Sequence, residues 1–105
     1  MEPLLLITNC PDEGVANALA LTLVEEKLAA CVNILPRVQS LYRWQGAVES
    51  ASEIPLLIKT TSARYAALES RISELHPYDV PEIIAVPISR GLPAYLNWLA
   101  EETLQ

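Results

Sequence analysis

Histidine occurs once in the 105 residues, cysteine twice and glycine three times. These shortages exclude much chemistry. With one histidine, a nucleophilic triad would need Cys10 and His76 to act together, and no spacing orients them. Gly14, Gly46 and Gly91 are too scattered to cradle a phosphate, and no nucleophile-elbow motif occurs. The chain therefore reads as a non-enzyme with no catalytic residue and no organic cofactor. Cys10 and Cys31 form neither a CxxC pair nor a disulfide framework, which argues against a structural zinc site. No apolar run approaches the ~20 residues that span a bilayer. Basic residues number 7 against 13 acidic ones, for a net charge of −6. Without a basic run, nucleic acid and anionic membrane surfaces are poor partners. Met1-Glu2-Pro3 lacks the basic region of a signal peptide, so the expected location is cytoplasmic.

What is present is a core. Hydrophobic residues make up 51% of the chain and charged residues 19%, the balance of one folded domain over residues 1–105. Leu4 to Thr8 is an apolar run of strand length. Pro11-Asp12 opens a helix over about Glu13 to Leu28, with Asp12 as N-cap; Val15, Leu19 and Leu23 mark its apolar face. Residues 37–44 alternate with period two, a strand pattern, which Pro36 breaks or bulges. Gln45-Gly46 predicts a tight hairpin turn. A long strand returns over Ala47 to Thr60, where Pro55 implies an edge position or a bulge. A second helix begins near Thr61-Ser62, with Tyr65, Leu68, Ile72 and Leu75 as its stripe, and stops at His76-Pro77. Glu82 to Ile88 is a final strand, and Gly91-Leu92-Pro93 opens a short third helix.

The most distinctive segment is His76-Pro77-Tyr78-Asp79-Val80-Pro81-Glu82. Its prolines fix φ and restrict the residues before them, so it reads as a stiff loop feeding a buried strand. Such stiffness serves a ligand site or a simple helix-to-strand turn. In the second reading His76 only ends its helix and donates to a backbone carbonyl.

The element order is β-α-β-β-α-β plus a C-terminal helix, the α+β, ferredoxin-like split βαβ arrangement. Two helices should cover one face of a four-stranded antiparallel sheet. The hairpin between the second and third strands is long, with arms of about 14 residues against a usual ~5–6. A domain this small leaves such arms exposed, with Tyr42 and Trp44 near the tip. Another copy of the chain is expected to cover them.

Five ordered segments carry a family resemblance. They are Glu26-Lys27-Leu28-Ala29-Ala30-Cys31-Val32-Asn33, Ser40-Leu41-Tyr42-Arg43-Trp44-Gln45-Gly46, Ile58-Lys59-Thr60-Thr61, the His76 to Glu82 loop, and Tyr95-Leu96-Asn97-Trp98-Leu99. Over essentially its whole length the chain resembles the divalent-cation tolerance protein CutA family. The resemblance implies a ferredoxin-like fold and a homotrimer whose long hairpins pair between subunits. It also implies a link to copper and heavy-metal tolerance in bacteria, with Cu(II) or another divalent metal bound; animal relatives are associated with anchoring a membrane enzyme. Of the metal residues, the histidine before Pro-Tyr is matched by His76. Some copper-binding relatives have a second histidine where this chain has Leu75, and a cysteine where it has Thr8; here the cysteine stands at Cys10.

Two readings of the site follow. If the fourth strand lies antiparallel beside the first, and the third runs parallel to the first, then Cys10, Lys59, His76, Tyr78, Asp79 and Glu82 gather at one rim. Cys10, His76 and one of Asp79 or Glu82 would then form a weak, exchangeable site suited to copper or zinc, with Glu82 alternatively pairing with Lys59. The other reading is a trimeric signalling or scaffold protein of PII-like architecture, taking a small ligand or a protein partner in clefts between subunits. Tyr42, Trp44, Lys59, Tyr78 and Trp98 are candidates for those clefts or for subunit contacts.

Overall fold

A computed structural model describes residues 1–104. The first strand, β1 (Pro3–Cys10), buries every second residue, Leu4, Leu6, Thr8 and Cys10. Helix α1 (Glu13–Glu25) begins on Asp12, whose carboxylate accepts from the Val15 N–H at 2.9 Å. The expected N-cap is thus the observed one. The helix ends three residues earlier than its apolar pattern suggests. Lys27 adopts a left-handed conformation (φ 60°), and the Leu28 and Ala29 N–H groups turn back to the Leu23 carbonyl. Capping of that kind stops a helix regardless of the hydrophobic residues that follow.

The hairpin is asymmetric. One arm is continuous, β4 (Ala47–Thr61), while the other is split into β2 (Cys31–Ile34) and β3 (Val38–Trp44) around Pro36. At its tip Gln45 and Gly46 both have positive φ, 49° and 82°, as a two-residue turn of matching twist requires. Helix α2 (Tyr65–Leu75) follows a single 3-10 turn, β5 (Ile84–Pro87) is shorter than expected, and α3 (Pro93–Glu102) begins with proline in its first turn.

The sheet order is β2-β4-β1-β5, with β3 continuing the hairpin beside β4. All pairings are antiparallel. This is the ferredoxin-like order, and it corrects one expectation. The strand after the hairpin turn, β4, runs antiparallel to β1, not parallel, because a right-handed crossover from β1 through α1 makes β2 parallel to β1 and the hairpin then reverses direction. Leu5 therefore faces Lys59, while Cys10 faces Ile54. Pro55 occupies a central strand rather than an edge. Its carbonyl accepts from the Leu35 N–H at 3.0 Å, so its missing N–H faces the same side, where the β2–β3 arm is interrupted and no ladder bond is lost.

The core lies between one face of the sheet and helices α1 and α2: Leu6, Leu19, Leu23, Leu56, Ile58, Leu68 and Ile72 are fully buried there. The opposite face carries Cys31, Lys59 and Glu53. Helix α3 packs against β1 and β4, which leaves the hairpin half uncovered. The chain measures 44 × 25 × 24 Å, and no helix among the described residues is long and apolar enough to cross a membrane.

Candidate functional site

The His76 to Glu82 loop leaves α2 and closes over the end of β1. His76 is buried, and both ring nitrogens are engaged. Nδ1 accepts from the Tyr78 N–H at 3.2 Å, so Nε2 carries the proton and donates to the Asn9 carbonyl at 2.7 Å. The imidazole also lies against the Tyr78 ring, with centroids 4.7 Å apart. His76 therefore clips the loop to β1. The Tyr78 hydroxyl in turn donates to Glu53 Oε2 at 3.0 Å. Burial, together with the Glu53 acceptor and its charge, pushes the Tyr78 phenol up to about 12. At the far end of the loop, Glu82 Oε1 accepts from the Asn9 side-chain amide at 3.2 Å.

Glu53 stands where β4 leaves the body of the sheet. Residues up to Glu53 pair only with β3, and those from Ile54 pair with β1. Cross-strand partners share a face, so Glu53 lies on the face that carries Ser40, Tyr42 and Trp44 of β3. Between this face and the loop opens a cleft of about 610 Å³. Its lining includes Glu53, Asp79 and Glu82 with Tyr42, Trp44 and Tyr78, and no basic residue.

This geometry sorts the predicted site residues. His76, Tyr78, Asp79 and Glu82 do share one rim, and Tyr42 and Trp44 join it across the cleft. Lys59 does not. It sits about five residues down the β1 ladder, where its ammonium contacts Asn33 Oδ1 and lies 3.8 Å from Cys31 Sγ. The expected Glu82–Lys59 pair is therefore absent, for the strand-direction reason given above. Trp98 is also elsewhere, on α3 beside Tyr95 with ring centroids 5.5 Å apart.

The thiolate–imidazole metal set does not form within the chain. Cys10 points into the core, fully buried. Burial, then the charges of Asp12 and Glu53, raises its thiol to about 11, so at neutral pH it stays protonated. His76 has no free nitrogen. Among the described residues no three His, Cys, Asp or Glu side chains are arranged to hold one ion. Reasoning from sequence missed Glu53 and Asn9. The signal for Glu53 was its place on the same alternating face as Tyr42 and Trp44, set by the hairpin register around Gln45-Gly46.

A model of the CutA1 divalent ion tolerance protein family matches residues 4–102. The chain belongs to the CutA1 family. It is 53% identical to the divalent-cation tolerance protein CutA of Thermus thermophilus, over 98% of this chain and 99% of that one. The Thermus structure superposes with a TM-score of 0.95, at 50% identity over 96% of this chain and 98% of that one. It is 45% identical to the mouse protein CutA over 90% of this chain, yet spans only 54% of the mouse protein. A relative from Archaeoglobus fulgidus, described as a periplasmic divalent cation tolerance protein, shares the fold with a TM-score of 0.94, at 35% identity over 97% of this chain and 99% of that one. CutA1 membership confirms the resemblance read from the five segments. It also fixes the coarse function as that of a divalent-cation tolerance protein.

Proposed function

We propose that this CutA1 chain acts as a non-enzymatic, cytoplasmic homotrimer in divalent-cation tolerance, and that it meets Cu(II) and other divalent ions through weak, exchangeable contacts at the acidic rim of the cleft. One observation carries this reading. Asp79 and Glu82 are presented by a loop that His76 holds to β1, around a cleft with three carboxylates and no base among its lining residues. Carboxylates offer oxygen donors to divalent ions, and at sites of this kind Cu(II) outranks Zn(II). Too few donors converge for a tight site, so binding should be reversible. Here His76 is a positioning residue.

Chelator-competition titration tests this. Cu(II) should bind with micromolar or weaker affinity, and more tightly than Zn(II). The double substitution Asp79→Asn/Glu82→Gln should weaken binding at least tenfold. His76→Ala should weaken it less, by loosening the loop. Cu(II) binding indifferent to the double substitution would sink the proposal.

A further inference from the structure

The sheet separates the two free thiols of this chain. Cys10 lies on the core face of β1, fully buried. Cys31 is half-buried on the opposite face, at the start of β2. Side chains on opposite faces of one sheet do not reach disulfide geometry without a strand coming away. Oxidation of Cys31 therefore has no thiol within the chain to resolve it. A different nucleophile is in place. Lys59 is the cross-strand partner of Cys31 in the β2–β4 ladder, and its Nζ lies 3.8 Å from Cys31 Sγ.

The backbone sets this contact. Directly paired residues of an antiparallel ladder share a face, with β-carbons ~4.5–5.5 Å apart. Asn33, two residues along β2, accepts from the Lys59 ammonium through Oδ1 and holds the nitrogen beside the sulfur. No carboxylate draws it away, since the ion pairs among the described residues lie on Arg37 and Arg71. Its other cross-strand neighbour, Leu5 on β1, offers no polar side chain. Cys10 has no such arrangement. It pairs with Ile54, and with its thiol pushed up to about 11 the thiolate that peroxide attacks is scarce there.

We propose that Cys31 and Lys59 are the site of a reversible oxidative cross-link between β2 and β4. Hydrogen peroxide first oxidises the thiol to a sulfenic acid, taking two electrons from sulfur and leaving as water. The Lys59 nitrogen, its ammonium proton passed to solvent, then attacks that sulfur. The S–N bond forms, the S–O bond breaks, and the hydroxyl leaves as water with a second proton from the amine. Each cross-link thus consumes one peroxide and releases two waters and one proton. Lysine's flexible stem closes the remaining distance. An external thiol that attacks the sulfur frees Lys59 and, in a second exchange, restores Cys31. The bridge closes a loop that contains the whole projecting hairpin, so it is a redox staple on that element. It depends on neither the cleft nor the metal reading.

The test treats the reduced full chain with hydrogen peroxide in mildly alkaline buffer and excess EDTA, alkylates the remaining thiols and maps the peptides by mass. The map should join the Cys31 and Lys59 peptides, lighter by the two hydrogens lost, with Cys10 alkylated and the bridge removed by dithiothreitol. Oxidation should also raise the urea midpoint. Lys59→Arg, which keeps the charge beside Asn33, should instead carry Cys31 on to sulfinic acid, with oxygen gained and no cross-link. Cys31→Ser should leave the midpoint unmoved by peroxide. If a variant does not fold, the map of the parent chain decides alone. A parent Cys31 that ends as sulfinic acid, as a disulfide or as an untouched thiol would overturn the proposal. So would a cross-link that persists in Lys59→Arg.

Discussion

At the scale of single residues, the loop is organised by hydrogen bonds that sequence patterns do not encode. Tyr78 is the clearest case. Its phenol is held neutral by burial and by donation to Glu53, and is pushed from an ordinary 10 to about 12. A group whose folded value is raised gives its stability in full below the unfolded value and loses it as pH climbs through the folded one. The contribution of Tyr78 should thus be complete below pH 10 and fall away between pH 10 and 12. Urea denaturation across that window should show Tyr78→Phe with a shallower loss of stability than the parent. An equal slope in the two proteins would mean that the Tyr78–Glu53 bond does not govern this range. The same residue scale explains the fate of Cys10. A thiol expected at the rim as a metal ligand is turned by the alternation of β1 towards the core with Leu4, Leu6 and Thr8. It behaves as a small apolar residue.

At the scale of elements, backbone conformation overrides side-chain pattern. Lys27 sits at φ 60°, where a residue with a β-carbon costs about 1–2 kcal/mol. Glycine would relieve that cost but loses about 0.4–1 kcal/mol through the greater freedom of the unfolded chain. Lys27→Gly should therefore stabilise the protein by about 0.5–1 kcal/mol, read as a higher urea midpoint with unchanged slope. Lys27→Val, β-branched in the same geometry, should lower the midpoint. The hairpin tells a related story. Pro36 was expected to break or bulge its strand, and Pro55 to mark an edge position or a bulge. Only the first interrupts its strand, and the second is tolerated because it lies opposite that interruption.

At the scale of the whole molecule, the hairpin leaves Leu41, Val48 and Trp44 exposed, at 73%, 68% and 50%. Apolar side chains on a projecting ribbon are a hazard unless another chain covers them. The proposed homotrimer predicts sedimentation at three times the 11.6 kDa chain mass. Val48→Lys should shift the population towards smaller species at micromolar concentration, with near-native circular dichroism. A parent chain sedimenting as a monomer would remove the trimer from the proposed function.

The element order, the Asp12 cap, the Gln45-Gly46 turn and the break at Pro36 were all legible in the sequence, because each rests on local backbone preference or on hydrophobic period. The family was legible for a different reason: five ordered segments matched. The composition of the site was legible only in part. His76 to Glu82 lies within one stretch of chain, so its members could be named together. Whether Lys59 joins them, whether Cys10 faces the core and which carboxylate faces the aromatics depend on strand direction and register. Those are set by which strands pair, β1 with β4 from Cys10–Ile54 to Pro3–Thr61 and β3 with β4 across the hairpin. A one-residue shift in such pairing, or a reversal of one strand, moves every side chain to another face or another end. Only the tertiary structure decides this, and it put Glu53, rather than Cys10, in the lining of the cleft.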